Sequence, residues 1–273
     1  MSSLNGKNII ITGATSGIGS KIAALLSSEG ADVFIGGRRA DRGEAVAEET
    51  NTTFHVLDVA DEESNRKFFD AASNHFGGTK TVDFVLLNAG VEGNNAEAQV
   101  SNLSVSNYDY IYSVNVRGVI LGMKYGIETL TDGGSILVTS STVSIMTMGA
   151  SPIYASSKAA VDSLVRSFAE QFAKSDDERI KSLSILSMNP TLYETDMADR
   201  FTGGEKTMLE GFAKMVNPSQ RPGLTSELAT IVRDYIHGDL PYKSGDTFAV
   251  DADTHFPLSE YFDRMNTAAK ATA

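Results

Sequence analysis

The segment Thr12-Gly13-Ala14-Thr15-Ser16-Gly17-Ile18-Gly19 constrains this chain more than any other. It ends an apolar run, Asn8–Thr12, and leads into a stretch with helical spacing, Ile18–Ser28. Glycines and small side chains at a strand-to-helix turn let the backbone approach a pyrophosphate. The N–H groups and positive dipole end of the helix then receive its charge. Placement of this turn close to the N-terminus predicts a dinucleotide site.

The rest of the chain repeats the same order. Apolar runs rich in β-branched residues lie at Asp32–Gly36, Thr53–Asp58, Val82–Asn88, Ser135–Ser140, Ser182–Met188 and Asp246–Asp251. Helix-spaced stretches stand between them at Glu62–His75, Tyr108–Leu130, Ile153–Phe172 and Ser226–Ile236. Strands that are apolar on both faces and alternate with helices imply a parallel sheet covered on both sides by its own crossovers. The expectation is one α/β domain over residues 1–273, a doubly wound sheet of about seven parallel strands. No internal repeat or Pro/Ser-rich linker divides it. The interval from Pro190 to Leu224, with Gly203-Gly204, Pro218 and Pro222, is expected to be a substrate-loop insertion at about 190–224. The stretch at about 254–273 is expected to be a C-terminal extension with a short helix through Leu258, Tyr261, Phe262 and Met265.

Composition narrows the function classes. A core of 273 residues needs neither disulfides nor a structural metal, and the sequence supplies neither. Cys is 0, and His55, His75, His237 and His255 are scattered without ligand spacing, so no metal site is expected. Lys+Arg 23 against Asp+Glu 35 leaves a net charge of −12, which argues against nucleic-acid backbones and anionic membranes as partners. The first residues lack a basic segment followed by an apolar one, and no run of about 18 apolar residues is free of charge. A cytoplasmic protein is expected.

The end of the second strand should select the nucleotide. An NAD site usually carries an Asp or Glu about 20 residues after the glycines, bonding the ribose 2′-OH, whereas an Arg accommodates a 2′-phosphate. Here the chain reads Phe34-Ile35-Gly36-Gly37-Arg38-Arg39, with no carboxylate until Asp41. Two guanidiniums suit a phosphate dianion through forked, charge-assisted hydrogen bonds, so NADP(H) is expected over NAD(H). Asp58 and Val59 after the third strand, and Asn88-Ala89-Gly90 after the fourth, fall on the carboxyl edge where ligands of such sheets sit. Tyr154 and Lys158 stand one helical turn apart, after Pro152. A cation there favours the phenolate and is expected to lower the tyrosine pKa toward a useful general acid/base. Ser141, at the carboxyl end of the fifth strand, is placed to donate to a developing alkoxide. Asn115 is polar within an otherwise apolar helix and calls for a partner.

Together these residues resemble the short-chain dehydrogenase/reductase family in its single-domain, Rossmann-type branch, from Gly6 to about Asp251. The resemblance implies that Tyr154 is the proton donor and acceptor. By the same likeness Lys158 lowers its pKa and holds the nicotinamide ribose, Ser141 orients the carbonyl, and Asn115 organises a water relay. It further implies Gly13, Ser16, Gly17, Ile18 and Gly19 at the pyrophosphate, Arg38 and Arg39 at the 2′-phosphate, and Asp58 and Val59 at the adenine. Asn88, Ala89 and Gly90 would meet the adjoining ribose, while Pro190, Tyr193 and Thr195 would meet the carboxamide. A homodimer or homotetramer packed through the Asn107–Thr131 and Ser151–Lys174 helices is implied as well. Three features depart from the family pattern. Pro190-Thr191-Leu192-Tyr193-Glu194-Thr195 replaces the usual Pro-Gly and brings in a bulky Tyr193. Val250-Asp251-Ala252-Asp253 replaces Val-Asp-Gly-Gly, and Ser16 stands where a basic residue would help a 2′-phosphate.

The substrate pocket is expected between the segment after Ser141 and the 190–224 interval. Val143, Ile145, Met146, Met148, Leu192, Tyr193, Met197 and Phe201 are available there. An apolar, methionine-rich lining suits a bulky or aromatic ketone or the corresponding alcohol. The alternative is a non-catalytic NADP(H)-binding sensor or scaffold on the same fold.

Overall fold

The computed structural model describes residues 4–94, 100–146, 149 and 151–271. Eight strands form one sheet: β1 (Asn8–Thr12), β2 (Asp32–Gly37), β3 (Thr53–Val56), β4 (Val82–Leu87), β5 (Leu130–Thr139), β6 (Ser184–Pro190), β7 (Thr247–Asp251) and β8 (Thr254–Pro257). Their order is β3-β2-β1-β4-β5-β6-β7-β8. The first seven in chain order run parallel, as expected. The eighth is an antiparallel edge strand paired with β7, so the about seven-stranded parallel sheet becomes an eight-stranded mixed one. Its hairpin turns at Ala252, which takes φ 52°.

Helices cover both faces, and the alternation of each strand explains which. Ile9 and Ile11 of β1, with Val33 and Ile35 of β2, pack on one side against Ile22 and Leu26 of α1 (Gly17–Ser28) and Leu228 and Val232 of α10 (Thr225–His237). Ile10 and Phe34 face the other side, with Phe68 of α3 (Glu62–His75), Met123 of α5 (Gly118–Thr129) and Val165 of α6 (Pro152–Ala173). A further helix, α2 (Ala40–Thr50), is mostly polar and buries only Gly43, which is why periodicity did not reveal it.

The strand order reverses between β1 and β4. There the Thr12 hydroxyl, between the two strands, accepts from the backbone N–H of Asn88 (3.1 Å) and of Ala89 (3.3 Å). A crevice outside the carboxyl ends of the strands follows from this topology.

Two segments differ from the sequence expectation. The single helix predicted over Tyr108–Leu130 is two, α4 (Val105–Tyr112) and α5, joined by a π-helical turn at Ser113–Arg117. The 190–224 interval is not an open loop: it folds into α8 (Asp196–Thr202) and α9 (Lys206–Val216), separated by Gly203 in the left-handed region. Beyond β8 the chain forms α11 (Tyr261–Ala271). A short helix, α7 (Glu178–Ser182), precedes β6. Among the described residues no helix is long and apolar enough to cross a membrane.

Candidate active site

A cavity of about 600 Å³ occupies the crevice at the carboxyl edge. Gly13, Ser16, Gly17 and Ile18 of the glycine turn line one end, together with Arg38 and Arg39 from the end of β2. Ser141, Tyr154 and Lys158 line its middle, and Val143, Met146, Met197 and Phe201 its far end.

The turn at the first end has no slack. Gly13 takes φ 70°, and a Cβ there would lie 2.6 Å from the Ala89 Cα. Gly17 also has positive φ, at 59°, but with nothing nearer than the Thr195 side chain at 3.8 Å. Gly19 points away from the cavity, where the Gly13 carbonyl at 2.6 Å and the Asn88 amide at 2.7 Å leave no room for a side chain. It shapes the turn and is not among the residues that line the cavity. Asn88 donates to the Gly13 carbonyl (3.1 Å) and accepts from the Thr139 hydroxyl (3.2 Å), tying the turn to β4 and β5.

The two guanidiniums are held by hydroxyls. Arg39 donates to the hydroxyls of Thr15 and Ser16, both at 2.8 Å, and Arg38 donates to the Tyr110 hydroxyl at 3.1 Å. Tyr110 had no motif to announce it. Its ring also lies 5.8 Å from the Arg38 guanidinium. Two cations with neutral partners, beside the N-terminus of α1, fit the charge of a dinucleotide carrying a phosphorylated ribose. Asp58 does not line the cavity. It turns back to accept from the Ala60 N–H at 3.0 Å, while its neighbours Leu57 and Val59 do face the cavity.

In the middle, Lys158 is buried and donates to the Thr139 carbonyl at 2.8 Å. Its ammonium sits 5.8 Å from the centre of the Tyr154 ring. Gly90 leaves the gap between them and Asn115: a Cβ there would meet Lys158 Nζ at 3.3 Å and Asn115 Oδ1 at 3.5 Å. Asn115 itself is buried behind the cavity wall. Its Oδ1 accepts from the Val91 N–H (2.8 Å), and its Nδ2 donates to the Val91 carbonyl (2.9 Å) and the Ser157 hydroxyl (3.0 Å). The π turn brings this amide to the backbone after β4, so Asn115 braces the site from outside it.

The expected lowering of the tyrosine pKa is not what this structure gives. Burial pushes Tyr154 up to about 12, partly offset by a hydrogen bond from Ser141, and the charge of Glu92 pushes the same way as burial. Burial also lowers Lys158 to about 8, against an opposing pull from Asp162. For each group the loss of hydration on burial is the largest influence. Tyr154 is therefore a firmly protonated phenol at neutral pH. Ser141 is within reach of it through a hydroxyl held only loosely, donating at 3.4 Å to the Pro190 carbonyl and accepting at 3.3 Å from the Val143 N–H.

At the far end, Tyr193 lines the cavity, although its phenol is turned into the core. Its side chain is 3% exposed, packs against Gly223, and donates its hydroxyl to the Ala252 carbonyl at 2.9 Å. The hydroxyl thus supports the wall from the core. Thr195 caps α8 by accepting from the Ala198 N–H, beside Gly17. Ile145 faces outward, and Met148 lies outside the described residues. Sequence reasoning missed an ion pair at the cavity: Arg200 of α8 grips both Glu92 carboxylate oxygens, at 2.7 and 3.2 Å. No local pattern links residues 108 apart.

The fold is a doubly wound α/β sheet whose cleft, at the carboxyl ends of the strands, brings Ser141, Tyr154 and Lys158 together. The family model described as "Enoyl-(Acyl carrier protein) reductase" matches residues 13–255. "Uncharacterized oxidoreductase YxbG" of Bacillus subtilis (strain 168) is 31% identical over 266 residues, covering 92% of each chain. "NADP-dependent (R)-specific alcohol dehydrogenase" of Lentilactobacillus kefiri is 31% identical over 91% of this chain and 96% of its own. The crystal structure of levodione reductase superposes with a TM-score of 0.78 at 26% identity, covering 91% of this chain and 97% of that one. A Leifsonia aquatica levodione reductase is 28% identical over 89% of this chain and 92% of its own length. The chain belongs to the short-chain dehydrogenase/reductase family and is an oxidoreductase.

Proposed function

We propose that the protein is an NADP(H)-dependent oxidoreductase that interconverts a ketone or aldehyde with an alcohol, with preference for bulky or aromatic apolar substrates. The observation that carries this reading is one continuous cavity. It holds the Ser141 hydroxyl, the Tyr154 phenol and the Lys158 ammonium between two hydroxyl-held guanidiniums and an apolar far end.

Gly13, Gly17 and the N-terminus of α1 would hold the pyrophosphate, and Arg38 and Arg39 the 2′-phosphate. A bound nicotinamide supplies or accepts the hydride. In reduction the carbonyl oxygen takes the phenolic proton of Tyr154 as its C=O bond becomes C–O. Ser141 donates a hydrogen bond to that oxygen, and the adjacent ammonium stabilises the phenolate left behind. Oxidation runs the same steps backward. Val143, Met146, Met197 and Phe201 offer apolar, adaptable surface to the rest of the substrate.

The test is NADPH oxidation and NADP⁺ reduction against a panel of ketones, aldehydes and alcohols. Tyr154→Phe should lose at least about 10²-fold in kcat while binding NADPH as before. Retained activity in that variant overturns the assigned acid. Arg38→Ala should raise the KM for NADPH about 10-fold or more and leave NADH unaffected. An equal or better kcat/KM with NADH in the wild type would sink the NADP(H) preference. Binding of NADPH without turnover of any panel member would favour a sensor or scaffold.

A further inference from the structure

The steps above make no use of the C-terminal extension, yet it carries one of the most deeply buried side chains in the molecule. Tyr261 opens α11 and is 1% exposed. With Ala249, Phe256 and Leu258 it forms an apolar cluster separate from the two sheet cores, and Met146 packs on that cluster. Its hydroxyl donates to the Val216 carbonyl and lies 3.2 Å from the Met146 sulfur.

Those two partners come from opposite sides of the substrate end. Met146 follows the 3₁₀ turn after Ser141, Val216 ends α9, and both line the cavity. The Val216 carbonyl stands in the last turn of its helix and has no partner there, so the phenol completes the helix end. Met146 has three side-chain torsions and would otherwise present a changing shape; contact with a fixed aromatic ring removes that freedom. One buried phenol thus ties the loop beside the reacting centre to the end of α9.

We propose that Tyr261 is a specificity-determining positioning residue. It fixes Met146 and the end of α9 against each other, and so sets how large an apolar carbonyl substrate the cavity accepts. The C-terminal extension thereby becomes part of the substrate site, although none of its described residues lines the cavity. The inference rests on the oxidoreductase reading.

Two measurements on Tyr261→Phe, which keeps the ring and removes only the hydroxyl, test it. Amide hydrogen exchange at residues 213–217 should quicken about 10-fold while exchange in β1 and α1 stays the same, the effect of losing about one buried hydrogen bond. In kinetics, kcat/KM for a bulky aryl ketone should fall about fivefold or more relative to a short aliphatic aldehyde, mainly through KM. The short substrate does not reach this wall, and the KM for NADPH should not move. Asn266→Ala, at an exposed position on the same helix, should change neither readout. Unchanged exchange at 213–217 would overturn the proposal. So would an equal loss for both substrates, which marks a merely structural role. A wild-type protein that turns over no carbonyl refutes the oxidoreductase reading instead, and the exchange experiment then still decides whether Tyr261 fixes this wall.

Discussion

The two ends of the cavity are built on different principles. The dinucleotide end is set by backbone against backbone: β1, its glycine turn and the strand after the switch approach so closely that a single methyl at Gly13 or Gly19 meets atoms at 2.6 Å. The substrate end is set by side chains that reach long distances. Asn217 holds Leu192, Asp251 holds Thr191 and Ser219, Tyr193 holds Ala252, and the ion pairs Arg200–Glu92 and Arg42–Asp196 hold α8. The first arrangement admits one shape only. The second can be retuned residue by residue, which under the proposed function suits a region that meets varied substrates while the nucleotide stays the same.

The strongest attempt to break this contrast is Gly13→Val. Its φ of 70° and the Ala89 backbone at 2.6 Å leave the side chain nowhere to go. NADPH binding, followed by nucleotide fluorescence, should weaken by more than about 100-fold, with a large fall in Tm. Gly17→Ala sharpens the point, because its φ is also positive but its space is open. It should cost only about 1 kcal/mol and spare most of the binding. If both variants bind NADPH like the wild type, close backbone approach does not set this end.

The same difference explains what the sequence could disclose. A backbone-built site needs glycines at fixed places along a strand–turn–helix, so Gly13, Gly17 and Asn88 announce themselves locally, and β1 and α3 fall where hydrophobic period placed them. The π turn at Ser113–Arg117 did not, because its cause is tertiary: Asn115 bonding both polar groups of Val91. Nor did α8 and α9, whose 7 and 11 residues flank two glycines and read as a loop. β8 is four residues long and ends in a proline, too short for alternation to show. Glu92, Tyr110, Arg200 and Tyr261 act through partners far away in sequence, so no spacing rule could point to them.

A smaller effect is expected from Asn217→Ala at the other end. Asn217 is fully buried, accepts from the Leu192 N–H (2.9 Å), and donates to the carbonyls of Leu192 (3.0 Å) and Arg221 (2.7 Å). Removing it strands three backbone groups and should cost about 2–3 kcal/mol. The KM for the carbonyl substrate should rise severalfold, and the NADPH Kd should stay within about twofold if the two ends are separately built. Equal losses at both would show that they are one unit.

The smallest effects come from the Arg200–Glu92 pair, and they allow the sharpest separation of two roles. Arg200 is 58% exposed and Glu92 16%, so the pair contributes under about 1 kcal/mol. Glu92→Gln and Arg200→Leu both release α8, and both should lower kcat/KM for the carbonyl substrate by a similar small factor, below about fivefold. Their charges act oppositely on the phenol. The Glu92 carboxylate raises the Tyr154 pKa, so neutralising it lowers that pKa. Removing the guanidinium leaves the carboxylate uncompensated and raises it further. In the proposed reaction alcohol oxidation needs the deprotonated phenol as base, so its rate should rise as pH climbs toward the Tyr154 pKa. The pH profile should therefore move to lower pH in Glu92→Gln and to higher pH in Arg200→Leu, with both displacements shrinking at high salt. Parallel displacement in the two variants would mean that the pair acts only by holding α8, and that the carboxylate has no electrostatic hold on the proton transfer.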